Sequence, residues 1–208
     1  MNALLPISID LKLILIILIM FLCSYLINIP IFKFYKKINY ILPKKYINYS
    51  NLICGILFSL FYIKYNLSYE FYMYSLLSCV LVSISFIDLK YMEIPDESNV
   101  TILLLGLIQI ILNYNNPIQH FLGFLIAGGI FLFIAVITNG SIGGGDIKLI
   151  ACIGLLLGIK ASLIITFCSS ILSLIGLIYA LLINKQSLNS FIPYGPFIAL
   201  STFYFLLI

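Results

Sequence analysis

The chain has 208 residues, 63% of them hydrophobic and 9% charged, with a formal net charge of +4. A water-soluble domain of this length has no interior large enough to hide so much apolar surface, so the composition excludes that class and leaves a multi-pass membrane protein. The small excess of positive charge is confined to loops, which excludes nucleic acid as a partner.

A membrane span needs roughly 20 apolar residues, and fewer where a segment is buried among neighbours. In chain order the predicted segments are 10–32, 50–66, 70–87, 98–114, 119–138, 147–159, 161–183 and 191–208, about eight in all. The first stays apolar for longer than a signal-peptide core, with no small-residue cleavage site after it, and reads as a retained span. Segment 147–159 is short, and its Gly154 and Gly158 predict tight packing inside the bundle rather than contact with lipid. The expected fold is all-α, a multi-pass transmembrane helix bundle forming one membrane-embedded domain over residues 1–208.

All 11 basic residues are lysine and tryptophan is absent, so the 15 tyrosines take the interfacial aromatic role. Lys33, Lys36, Lys37, Lys44 and Lys45 crowd the first loop, which the positive-inside rule places in the cytoplasm. Threading the segments from there puts Lys90, Lys148 and Lys185 inside as well, and only Lys12, Lys64 and Lys160 outside. Both termini then lie outside, and Asp88 and Asp146 share the cytoplasmic face, in loops at the membrane edge.

Those two aspartates stand out in a chain with so little charge, because a carboxylate at the edge of a bilayer is costly to hold. Asp88 ends the apolar run Val80–Ile87, and Ile94-Pro95-Asp96 after it forces an extended turn. Asp88 also reads as a loop residue paired with Lys90, and Asp96 as a cap for the segment starting near Ser98. Asp146 closes Gly143-Gly144-Gly145-Asp146-Ile147-Lys148. Three glycines permit positive φ and close approach of a substrate strand, and Asp146 opens a helix whose amides favour its ionised form. A flexible loop followed by an Asp N-cap fits the same residues. A third stretch, Phe191-Ile192-Pro193-Tyr194-Gly195-Pro196-Phe197, breaks regular structure where it can line a cavity, or starts a helix with proline in its first turn.

The remaining polar residues carry less. His120, the only histidine, is expected to solvate an outer loop, and Glu70 also maps outside. Asn28 lies within a span and is expected to hydrogen-bond to a neighbouring helix. Cys23, Cys54, Cys79, Cys152 and Cys168 each stand alone in apolar runs, so neither a zinc site nor a disulfide framework is expected, and no metal.

Together these stretches resemble the type IV prepilin peptidase family of GxGD aspartic proteases. Ile87-Asp88 with Ile94-Pro95-Asp96 is similar to its first catalytic motif, and Gly143–Leu149 to its GxGD-x-K-L motif. Ile192–Phe197 is similar to the stretch near the family's C-terminus, and Ser24–Asn28 to the end of its first span. The resemblance implies catalytic Asp88 and Asp146, with Gly143, Gly145, Lys148, Pro95, Pro193 and Gly195 supporting them. It implies prepilin or pseudopilin substrates, whose short basic leader is cut off just before an apolar helix at the cytoplasmic face of the cell membrane. Glu93, Asp96 and Glu97 surround the site with negative charge that favours a basic leader. Many members carry a long insert with two CxxC pairs after the first span and also methylate the new terminus with S-adenosylmethionine. Here that region is only Lys33–Tyr49, so cleavage without robust methyl transfer is expected. Two other readings compete: a transporter using the aspartates as a proton or cation relay within its spans, and a non-enzymatic membrane scaffold.

Overall fold

The computed structural model describes residues 5–112, 116–140, 142–182 and 192–208, with the side chains of 5–13 left aside. Lys185 and Phe191 lie outside the described residues, as does the Lys12 side chain. Among the described residues the protein is all-helical: α1 (Leu5–Lys37), α2 (Lys44–Tyr65), α3 (Tyr69–Tyr91), α4 (Asp96–Leu112), α5 (Pro117–Ile137), α6 (Gly144–Leu182) and α7 (Gly195–Leu207). Five helices are long and apolar enough to cross a membrane: α2, α3, α5, α6 and the Ile14–Lys37 part of α1.

About eight segments were expected and seven helices are found among the described residues, because segments 147–159 and 161–183 join into α6. The join is not a straight helix. Gly158 has φ 82° and ψ 176°, far from helical values, so α6 is two arms meeting at the predicted border. That conformation is open essentially to glycine alone.

The chain packs as two compact units, Met1–Ser83 with Leu207 and Ile84–Leu206 with Ile208. In the first, α1 lies against α2. α1 ends in a left-handed cap at Asn39 (φ 73°), where the Tyr40 N–H reaches the Tyr35 carbonyl at 2.9 Å. This is the usual way to satisfy the last carbonyls of a helix. Lys36 and Lys37 in the last turn complement its negative end. Ser24 Oγ lies 3.2 Å from the Asn51 carbonyl of α2, and buried Asn28 Oδ1 lies 4.0 Å from Cys54 Sγ on the same helix. Phe58 and Phe71 meet edge-on at 6.4 Å beside Phe61 and Tyr74.

In the second unit α5 runs along the first arm of α6. Gly123 and Gly154 face each other so closely that a Cβ on either would strike the other's backbone, and a Cβ on Gly128 would come within 2.9 Å of Ala151 Cβ. Small residues let two membrane helices touch backbone to backbone, where van der Waals contact replaces the hydrophobic effect. Leu149, Ile150, Ile153 and Leu156 of the same arm are buried, matching the packing expected for segment 147–159. Outward-facing Phe133, Val136 and Phe167 are more than 60% exposed, a surface suited to lipid and not to water.

His120 departs from expectation. It sits in the second turn of α5, buried, with Nδ1 2.9 Å from the Leu155 carbonyl. In an unbroken helix that carbonyl would accept from the N–H four residues on. The Gly158 break removes that donor, and since a carbonyl only accepts, the imidazole supplies the replacement through Nδ1–H. A buried polar group left without a partner is costly, which is why the histidine faces inward.

Candidate active site

Both aspartates were expected at the membrane edge, Asp88 in a loop and Asp146 opening a helix; the structure places Asp88 inside the end of α3 and Asp146 at the start of α6. Asp88 lies in the last turn of α3, only 5% exposed. Its Oδ2 accepts the Gly195 N–H at 2.7 Å, and the Tyr194 N–H also points at the carboxylate. Lys90, the alternative partner, instead lies 4.7 Å from the centre of the Tyr91 ring and 3.2 Å from its hydroxyl. Gly195 is needed for this approach: a Cβ there would stand 3.0 Å from Asp88 Oδ2. It opens α7, with Pro196 in the first turn, so the break and the proline-initiated helix read from Phe191–Phe197 both describe it.

Asp146 is in the first turn of α6. The Asp146 and Ile147 N–H groups reach the Gly143 carbonyl at 3.1 and 3.3 Å, and the carboxylate turns back toward the Gly143 N–H. A carboxylate folded onto the amide before its own helix stabilises the helix start. The glycine run was expected to exploit positive φ, and it does not. Gly143, Gly144 and Gly145 all lack positive φ, which occurs just upstream at Asn139 and Gly140. Space is the reason instead. A Cβ on Gly143 would lie 2.9 Å from Asp146 Oδ2, and one on Gly145 would lie 3.0 Å from Ile94 Cβ, while Gly144 has nothing within 4 Å.

Both carboxylates line one cavity of about 770 Å³, with Met92, Gly143, Phe131, Ser170, Ser173, Pro193 and Tyr194 among its walls. Asp88 is near enough for its charge to act on Asp146. Tyr194 closes one wall: its hydroxyl is 2.9 Å from Ser169 Oγ and 3.3 Å from Ser170 Oγ, and its ring centre lies 5.7 Å from that of Phe131. Burial pushes the Tyr194 hydroxyl above the usual phenol range, so it stays protonated. Sequence reasoning named Tyr194 only as part of a motif, and nothing marked Ser169, Ser170 or Phe131 as its partners.

Glu93, Pro95, Asp96, Glu97 and Lys148 do not line this cavity. Asp96 is the first residue of α4 and forms an ion pair of 2.8 Å with Lys148 in α6, the pair being 69% and 57% exposed. Pro95 is buried before it, and Glu93 and Glu97 are exposed. Among the described residues no group of three or more His, Cys, Asp or Glu side chains could hold a metal ion. A relay through a transporter calls for carboxylates in mid-span, whereas these two sit at helix ends.

The chain is 33% identical over 158 residues to the prepilin leader peptidase/N-methyltransferase of Bacillus subtilis (strain 168), covering 72% of this chain and 61% of that protein. It is 36% identical over 129 residues to the protein of the same name from Legionella pneumophila, covering 59% and 45%. For the one from Neisseria gonorrhoeae the identity is 33% over 156 residues, covering 72% and 53%. The chain thus spans about half to three fifths of these relatives' length. No solved structure matches it. The model of the type IV leader peptidase family matches residues 75–181, just over half of the chain and a range holding both aspartates. This membrane protein belongs to the type IV leader peptidase family.

Proposed function

We propose that residues 1–208 act as one membrane-embedded aspartic endopeptidase, which removes the short basic leader of prepilin or pseudopilin substrates at the cytoplasmic face of the cell membrane. The observation that carries this reading is the shared cavity: a buried carboxylate from α3 and a half-buried one from α6 face one space large enough for a peptide strand. Two neighbouring carboxylates hold one proton between them more cheaply than they both ionise. The ionised member takes a proton from an attacking water while the protonated member donates to the scissile carbonyl. The proton then passes to the departing amine. Gly143 and Gly195 leave the carboxylate edges bare, so a substrate strand meets no side chain there. Glu93 and Glu97 offer exposed negative charge to a basic leader, and the apolar helix that follows the cut stays in the bilayer.

The relatives' printed names add N-methyltransferase. When bound, S-adenosylmethionine would supply the methyl group. The short α1–α2 connection does not fit it, since no acidic residue stands between Asp10 and Glu70 to hold a ribose. The reading is therefore cleavage without methyl transfer at that connection.

Co-expression of the full chain with a prepilin whose basic leader ends in glycine tests the proposal. A gel shift, with N-terminal sequencing that places the new terminus just after the leader, is the expected result. An intact leader in cells where the chain is inserted in the membrane would overturn it. Mass spectrometry of the same product tests methylation, and a terminus one methyl heavier would refute that part.

A further inference from the structure

The two aspartates come from helix ends that are far apart in the chain, so something must fix the distance between them. From Asp88 the backbone turns at Met92, which takes a left-handed φ of 55°, passes Ile94-Pro95 and enters α4 at Asp96. From Asp146 it climbs only two residues to Lys148, about 3 Å along the helix axis. Asp96 and Lys148 meet at 2.8 Å across 52 residues of sequence. A second contact supports the first, because Gly145 lies so close to Ile94 that a Cβ on it would stand 3.0 Å from Ile94 Cβ, tight enough to push one of the two away. The α3–α4 connection and the start of α4 are thus fastened to the first two turns of α6 twice, once by close packing and once by charge.

We propose that Asp96 and Lys148 are positioning residues, forming a clamp that sets the separation of the Asp88 and Asp146 carboxylates. The proposal rests on the peptidase reading above and gives Asp96 a part other than attraction of the leader. Both side chains are more than half exposed, so the pair is a weak contributor to folding. Catalysis is more sensitive than stability to such a contact, since a misplacement of about 1 Å between reacting groups can cost about 10²-fold in rate. Lys148 carries its charge on a stem that lines the apolar cavity between α4, α5 and α6, so methionine in its place keeps the packing and removes only the charge.

The test uses the full chain in detergent with a purified prepilin, measuring kcat and KM for the wild type, Asp96→Asn, Lys148→Met, the double neutral variant and the charge exchange Asp96→Lys/Lys148→Asp. Each single variant is expected to lower kcat about tenfold, between the small worth of an exposed pair and the cost of a displaced catalytic group, with KM unchanged. The double neutral variant should fall no further than either single one, and the exchange should recover most of the loss. Three results would overturn the clamp: wild-type kcat in both single variants, multiplying losses in the double variant, or a change confined to KM. The last would assign Asp96 to the leader. If the wild type itself leaves the prepilin uncut, the peptidase reading fails, and the two failures are thereby told apart.

Discussion

The two ends of the first arm of α6 both depend on glycine, and comparing them separates two properties that glycine is credited with together. At the start, Gly145 has no positive φ, yet a Cβ would press on Ile94. At the far end, Gly158 has φ 82° and ψ 176°, yet the nearest atoms to a Cβ would be 3.8 Å away, an ordinary contact. The first is a demand for space and the second a demand for conformation. The first serves the site, where it lets the chain after Asp88 approach the helix of Asp146. The second serves the fold, ending one arm so that another can leave at a new angle. Substitutions that respond to one demand and not the other should therefore separate activity from stability.

The largest effect is expected at the site itself. Asp88→Asn and Asp146→Asn should each lower leader cleavage by about 10²–10⁴-fold, the range for loss of a general acid or base. Neither should prevent membrane insertion, because asparagine is nearly isosteric. Full cleavage by either purified variant would exclude the aspartic mechanism. Next in size is Gly145→Val. A branched side chain meets the branched Ile94, which cannot swing aside as the end of a flexible chain would, so the connection must lift from α6. A loss of about 10–100-fold in kcat is expected for a shift of this kind. Gly144→Ala is the control, since a Cβ there enters open space, and it should cleave within about twofold of wild type. Equal behaviour of the two variants would mean that the run is a flexible connector and that space is not its purpose.

Much of this could be read from the residues, and what could not has a physical reason. Span positions followed from hydropathy, including a border near residue 160, whereas Gly158 was read as a packing residue and its φ/ψ break came only from the structure. The two aspartates were legible because unpaired charge is rare in such a chain. At Gly143–Gly145 positive φ was a misreading, and the need for a backbone without Cβ was read for a substrate strand; that Gly145 makes room for Ile94, some 50 residues earlier, only the structure reveals. The Asp96–Lys148 pair was invisible for the same reason: both residues were singled out, but for separate duties. His120 was misplaced because a histidine near a predicted helix start looks solvated unless the broken helix beside it is known.

At the conformational end of the arm, Gly158→Ala should destabilise the protein by about 1–3 kcal/mol, the cost of holding a residue with a Cβ in a region reserved for glycine. Thermal unfolding in detergent reads this as a lowered Tm. Cleavage per folded molecule should stay near wild type, because the break is distant in sequence from both carboxylates and the first turn of α6 is untouched. An unchanged Tm would mean that the two arms can realign into one helix at no cost, and the break would then carry no structural demand.

The smallest effect concerns the carbonyl that the break leaves behind. His120→Leu keeps the bulk of the ring but removes the Nδ1–H that faces the Leu155 carbonyl at 2.9 Å. Hydrogen bonds between membrane helices average about 0.6 kcal/mol and reach roughly 1.7, so the loss of Tm should be smaller than for Gly158→Ala. His120→Asn places an amide N–H near the position of Nδ1 and should recover most of that loss. The two substitutions should add in Gly158→Ala/His120→Leu, because alanine held in the broken conformation still leaves the Leu155 carbonyl without the Ile159 N–H, and the histidine still serves it. Losses that do not add would show that alanine lets the arms realign, which returns the Ile159 N–H to Leu155 and leaves the histidine no carbonyl to serve.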